Sequence, residues 1–413
     1  MPVLTISFLG TLGLMVAVRW WLATRQLRSL ARHRGEVPAA FAAVVSPAEH
    51  AKAADYTAAR LGIARLELAV DALILLGVTV GGGLAWLDAA VARIGLGSIA
   101  HGVATLVLLA VGMSAAGLPL DLWRTFRVEA RYGFNRTGPA LYATDLARSL
   151  AIGLALGAPL LAVLLVLMTA AGTLWWLYAW LAWVAFGLGV AFLWPRFIAP
   201  LFNTFRPLEA GPVRDAVERI MTRCGYASDG VSVMDGSRRS SHGNAYFTGF
   251  GRHKRIVLFD TLLERLDAIE VEAVLAHELG HYRLHHIRQR LATSFGAALA
   301  GFALLGVAAA EPSSYLAFGV PAASSHAALA LFALVVPVYL FPLTPLGSWW
   351  SRRHEYQADQ FASRHASGAA LSSALVKLYR DNASTLTPDP LYSAWHDSHP
   401  PALARLAALA QPT

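Results

Sequence analysis

His277-Glu278-Leu279-Gly280-His281 is the segment of this 413-residue chain whose residue types and spacing imply chemistry most directly. Residues four apart lie on one helix face about 6 Å from each other, so both imidazoles can converge on one metal ion. Glu278 projects from the neighbouring face, where a carboxylate can reach water held at that ion. Zinc acidifies water from a pKa of about 15.7 to about 7, and the carboxylate can take the proton as hydroxide attacks a carbonyl. Chance alone would produce the His-Glu-x-x-His pattern about 0.01 times in a chain of this composition. Gly280 costs about 1 kcal/mol against alanine inside a helix. Either close approach of another backbone or simple packing accounts for it.

A catalytic zinc site needs a third protein ligand and one open position. On an uninterrupted helix His285 lies two turns from His277, about 12 Å along the axis, against bonds of about 2 Å. His286 is no better placed. Leu284 and Ile287 occupy the positions where a downstream Gly-x-x-His arrangement would stand. The third ligand must therefore come from elsewhere. Residues 351–359, Ser-Arg-Arg-His-Glu-Tyr-Gln-Ala-Asp, offer Glu355 as the best candidate and His354 as its rival. Asp359, one turn on, can accept a hydrogen bond from a ligand imidazole and so fix its tautomer. Arg352 can pair with Asp359 or with a substrate carboxylate. The single cysteine, Cys224, rules out a cysteine metal cage and an internal disulfide.

Asp267 with Glu270 three residues later reads as a capping box opening a helix from Ala268 to about His286. Before it, Val231–Met234, Ala245–Gly249 and Ile256–Phe259 read as short strands, with a turn at Gly249-Phe250-Gly251. They form a small α+β insert, 194–290. Around it lie seven apolar runs near the roughly 20 residues needed to cross a bilayer. They are Ile6–Leu22, Ala69–Leu87, Ile99–Leu118, Leu150–Ala170, Thr173–Leu193, Leu291–Ala310 and Ala327–Leu343, the last with a kink expected from Pro337 and Pro342. The first lacks a basic leader and reads as a retained span. The chain thus divides into a five-helix membrane region (1–193), the insert (194–290), two further membrane helices (291–343) and a C-terminal segment carrying the third ligand (344–413).

The chain is 56% hydrophobic and 15% charged, with mean hydropathy +0.49. Soluble domains run near 25% charged, so much of this surface must face lipid. Net charge is +8, but the arginines fall in short segments beside apolar spans. That pattern fits loops touching anionic lipid and argues against nucleic-acid binding. Segments after the first and third spans are arginine-rich, whereas 88–98 holds only Arg93 and 311–326 no Lys or Arg. The asymmetry predicts an outer N-terminus and a cytoplasmic C-terminus and insert. With 34 Lys plus Arg but only three lysines, composition points to a GC-rich, bacterial genome and an inner-membrane location, or the endoplasmic reticulum in a eukaryote.

Together these segments resemble the type I CAAX prenyl proteases, integral-membrane zinc endopeptidases. The likeness is carried by Leu118-Pro119 through Tyr132-Gly133-Phe134-Asn135, Pro200-Leu201-Phe202-Asn203, Asn244-Ala245-Tyr246-Phe247, Arg255 to Leu263, the His-Glu motif, Glu355 to Asp359, and Ser398-His399-Pro400-Pro401. They follow the family's order over nearly the whole chain. Gly243 stands where the family pattern has serine. The resemblance implies a membrane all-α fold, seven transmembrane helices enclosing an intramembrane chamber, with a cytoplasmic α+β zinc metalloprotease insert. It implies His277, His281 and Glu355 as ligands of one Zn2+, Glu278 as general base, and Asn244, Ala245, Tyr246 and Phe247 as a substrate-binding edge. His399 would donate to the oxyanion. The implied reaction is cleavage of prenylated CAAX peptides. Quality control of membrane proteins is the alternative protease role. A receptor or transporter that has lost catalysis is the alternative outside enzymes, and Glu278 with a third carboxylate argues against it.

Overall fold

A computed structural model describes residues 3–226, 230–248 and 255–411. Six helices are long and apolar enough to cross a membrane: Val3–His33, Ser98–Tyr132, Pro139–Ala170, Gly172–Phe202, His286–Ala310 and Ser325–His365. A seventh crossing is built from two pieces, Pro47–Val78 and Gly83–Ala92, bent by 56°. The expected second span runs straight through this bend. Its cause is local: a Cβ on Gly81 or Gly83 would lie 2.7 or 2.8 Å from the Gly77 carbonyl, and Gly82 sits at φ +78°, where only glycine is unstrained. Apolar side chains on these helices point outwards, among them Leu73 (69% exposed) and Val307 (71%). Exposure on that scale suits lipid, which spares such groups contact with water.

Within the bundle, Leu106, Met113, Leu164, Trp183, Phe302 and Phe332 help line an apolar cavity of about 570 Å³. At one end of the bundle, Asp88 Oδ1 lies 2.6 Å from His101 Nε2 and 2.7 Å from His326 Nε2. Two tetrahedral metal bonds of about 2.05 Å span about 3.3 Å between ligand atoms. These shorter contacts are hydrogen bonds, in which one carboxylate oxygen clasps the bent half-helix to the starts of the third and seventh crossings.

The other end carries the insert and the C-terminal helices. Strands β1 (Phe205–Pro207), β2 (Val231–Met234), β3 (Ala245–Thr248) and β4 (Arg255–Phe259) form one sheet in the order β1-β2-β4-β3. β2 and β4 run parallel; the outer pairs are antiparallel. Sequence reading misses β1, whose three residues are too few to show alternation. The Gly249–Gly251 turn lies outside the described residues. Ile256 and Leu258 pack on Val271, Leu275 and Leu279 of helix Ala268–Arg283, which forms a core with Leu371 and Leu375 from the C-terminal segment. The boundary expected at 343/344 falls inside one helical run. A 3-10 turn, Phe341–Leu343, joins the last crossing to helix Thr344–His365.

Candidate active site

Asp267 starts the helix that carries the His-Glu motif. Its carboxylate accepts from the N–H groups of Ile269 (3.0 Å) and Glu270 (2.9 Å), and the Glu270 carboxylate accepts from the Asp267 N–H (3.0 Å). Each satisfied donor would otherwise be an orphan of the first turn. Helical pitch then brings the Nε2 atoms of His277 and His281 to 3.3 Å. Helix Thr344–His365 packs alongside at Gly280. A Cβ there would lie 3.0 Å from Ala358 Cα and 3.1 Å from Phe361 Cβ. That backbone-to-backbone approach delivers Glu355, 2% exposed. Its Oε2 is 3.5 Å from His277 Nε2 and its Oε1 3.4 Å from His281 Nε2.

Asp359 Oδ1 accepts from His277 Nδ1–H at 2.8 Å, which leaves Nε2 of a neutral His277 as a lone pair. Arg405 holds Asp359 in turn, Nε to Oδ2 at 2.9 Å and Nη2 to Oδ1 at 2.5 Å, and is itself 5% exposed. The imidazole pair at 3.3 Å, and the contacts of 3.5 and 3.4 Å that each imidazole makes to a different Glu355 oxygen, lie close to the roughly 3.3 Å edge of a tetrahedral site with bonds near 2.05 Å. Glu355 Oε2 is buried with no close hydrogen bond among the described residues; His277 Nε2 and His399 Nε2 at 3.5 Å and Arg405 Nη1 at 3.9 Å are its loose partners, which leaves an anionic oxygen room for a closer cation. The donor set fits a small divalent metal with one position open. In its absence a proton competes for the same lone pairs. Burial opposes charge on His277, but hydrogen bonds to Asp359 and Glu355 outweigh it and raise the imidazole to about 9. Burial, with repulsion from His277, lowers His281 to about 3.

Glu278, His281, Tyr246, Arg290, Glu355 and His399 help line a cavity of about 280 Å³. Glu278 makes no hydrogen bond or ion pair among the described residues. Burial raises its carboxyl pKa, with the His277 charge opposing. His399 Nε2 stands 3.5 Å from Glu355 Oε2 on a side chain 62% exposed. β3 forms an edge of the sheet. Its Ala245 N–H is capped by Asn244 Oδ1 at 2.8 Å, while the Asn244 carbonyl accepts from Phe259 N–H at 3.0 Å. Phe247 pairs with Ile256 through the backbone; its side chain lies outside the described atoms.

Arg352 does not pair with Asp359, one of the two roles expected of it. Its Nη1 donates to the carbonyls of Ser393 (3.3 Å), Ala394 (3.1 Å) and Asp397 (2.9 Å). It therefore anchors the segment leading to His399, and Arg405 takes the place beside Asp359. The missed Arg405 had a signal: it is the only charged residue after His399 apart from the terminus. His354 does not enter the cluster. It stacks on His286 with ring centroids 3.9 Å apart. The helix expected to reach His286 stops at Arg283 and breaks at His285, φ 61°, a left-handed conformation costing about 1–2 kcal/mol in a non-glycine residue.

Residues 26–204 match the CAAX prenyl protease N-terminal region of five membrane helices, and residues 207–413 match Peptidase family M48. CAAX prenyl protease 1 of Saccharomyces cerevisiae is 37% identical over 76% of this chain and 72% of its own. The CAAX prenyl protease 1 homolog of Homo sapiens is 32% identical over 73% and 72%. The crystal structure of S. mikatae Ste24p superposes with a TM-score of 0.91 at 28% identity, covering 99% of each chain. The chain therefore belongs to peptidase family M48, as a multi-pass membrane metalloprotease of the CAAX prenyl protease 1 type.

Proposed function

We propose that the chain is a zinc endopeptidase acting on membrane-associated peptides, with prenylated CAAX sequences as its substrate class. The observation that carries this reading is one cavity holding three converging lone-pair atoms, Glu278 with no hydrogen bond or ion pair among the described residues, and Tyr246 of an edge strand. His277, His281 and Glu355 hold the metal, and two imidazoles with one carboxylate favour zinc. Zinc bound there supplies Lewis acidity, polarising the scissile carbonyl and acidifying water.

The chain's own residues do the rest. The edge of Asn244 to Phe247 takes an extended peptide as an added strand and sets its carbonyl at the site. Glu278 accepts the proton of the attacking water and passes it to the leaving amine. His399 donates towards the oxygen on which negative charge develops. Asp359, braced by Arg405, holds His277 in the ligating tautomer. The apolar cavity within the bundle offers surface to a lipid on the substrate. The catalytic end faces the cytoplasm, and the arginine-rich composition points to a bacterial inner membrane. The test is metal analysis of the detergent-purified chain, followed by cleavage assays on a farnesylated CAAX peptide and an unmodified membrane peptide. One zinc per chain and faster cleavage of the farnesylated peptide are expected. Absence of metal, or cleavage unaffected by its removal, would overturn the reading.

A further inference from the structure

His281 cannot serve as a ligand through Nε2 unless its proton sits on Nδ1, and among the described residues no carboxylate or carbonyl fixes that proton directly. Its Nδ1 instead faces His286 Nδ1 at 3.0 Å. The other nitrogen of His286, Nε2, lies 3.0 Å from Gln357 Oε1. We infer that Gln357, acting through His286, sets the tautomer of His281 and so prepares it to bind the metal; this rests on the zinc reading above.

The logic runs along one line of hydrogen bonds. An amide oxygen only accepts, so His286 Nε2 must be the donor. A neutral His286 then has a lone pair on Nδ1, which accepts from His281 Nδ1–H. The lone pair of His281 falls on Nε2, towards His277 Nε2 and Glu355 Oε1. With the amide reversed, its N–H would donate to His286 Nε2 and every proton would shift by one place. The last would sit on His281 Nε2, between the three ligand atoms, and block the metal.

The fold is built to hold this line. On a continuous helix His286 would lie five residues on, about 140° around the axis from His281. The left-handed turn at His285 brings it back. His286 is 1% exposed, and stacking on His354 at 5° between ring planes fixes the plane in which both its nitrogens must point. His354 is held from its far side, Nε2 lying 3.1 Å from Gln289 Oε1. Gln357 shares a helix with Glu355 and Asp359, so one helix supplies a ligand and orients both histidines. His277 is oriented through a carboxylate braced by arginine and His281 through an amide and a second imidazole.

Zinc affinity of the detergent-purified full chain, read by competition with a chelator, tests the inference on three variants. His286→Phe keeps a ring to stack on His354 but removes the relay, Gln357→Lys can only donate, and Gln357→Glu can only accept. His286→Phe and Gln357→Lys should weaken zinc binding by about 10–100-fold, the usual effect of losing an outer partner of a ligand. Gln357→Glu should bind zinc at least as tightly as the parent. The thermal melting of each metal-free variant separates packing from positioning, since the relay predicts loss of affinity without matching loss of metal-free stability. Parental affinity in His286→Phe, or equal losses in Gln357→Glu and Gln357→Lys, would overturn it. Failure of the parent chain to bind zinc would instead sink the underlying metal reading.

Discussion

Gly280→Ala isolates what sets the spacing of the metal-binding cluster. In most helices this change gains about 1 kcal/mol. Here the new Cβ meets Ala358 Cα at 3.0 Å, Phe361 Cβ at 3.1 Å and the Ala358 carbonyl oxygen at 3.3 Å. Ordinary carbon contacts lie at about 3.5–4.0 Å, so the two helices must part by roughly 0.5 Å. Overpacking of this kind costs about 1–3 kcal/mol, and the helix-propensity gain offsets part of it. Net destabilisation of about 0–2 kcal/mol is expected. The effect on the metal should be larger than the effect on the fold. The contact is one residue from His281 and three from Glu355, and metal–ligand distances tolerate only about 0.2 Å. Chelator competition should show zinc held at least about 10-fold more weakly, while the metal-free chain melts close to the parent. If the variant melts higher and holds zinc as tightly as the parent, the close approach does not set the site.

Glu278→Gln should keep stoichiometric zinc and lose about 10²–10⁴-fold in turnover, the scale of acid–base catalysis; parental rates with zinc bound would remove Glu278 from the mechanism. Glu355→Ala should lower zinc occupancy and His285→Ala should not, and metal analysis showing the reverse order would reassign the third ligand. Reporters fused after residue 95 or 318 should read the outer side, and those after residue 40 or at the C-terminus the cytoplasm; matching labels on both sets would overturn the orientation. Asn244→Pro should impair cleavage of farnesylated and bare peptides alike, since it removes the side chain that caps the Ala245 N–H and stiffens the entry to the edge strand. Farnesyl should mainly lower KM, at about 0.8 kcal/mol per buried CH₂. Full activity of the proline variant on both peptides would exclude strand addition there.

The features legible in the sequence were those written in neighbouring residues. The apolar runs, the capping box at Asp267 and the i, i+4 histidines need no distant partner to be recognised. Glu355 required more: topology returns its segment to the same membrane face, its i, i+4 pairing with Asp359 makes it the best candidate over His354, and the family likeness supports that choice. Arg405 was missed because its partner Asp359 is 46 residues away: its isolation as a charged side chain after His399 hints at a role but not at the partner. The His286 relay was hidden for a different reason. It depends on a left-handed backbone at His285, which sequence reading gives to glycine or asparagine. The bend in the second crossing was present as Gly81-Gly82-Gly83, yet the apolar run continues across it and hydropathy alone reads straight through.

β3 has a strand partner on one side only. Its free edge presents N–H and C=O groups, which are common to every polypeptide, so pairing there carries little information about side chains. An extended chain of almost any sequence satisfies it. On the proposed strand-addition reading, selectivity therefore rests on admission rather than recognition. A chain would be cut when it is unfolded, narrow enough to lie beside β3, and delivered to the membrane end that carries that edge. Folded proteins would fail the first condition, and free peptides are not concentrated at the membrane. On the same reading a lipid anchor would act as a pass to the site, raising the local concentration of the tail it carries, while the chemistry beyond the entrance would be indifferent to it.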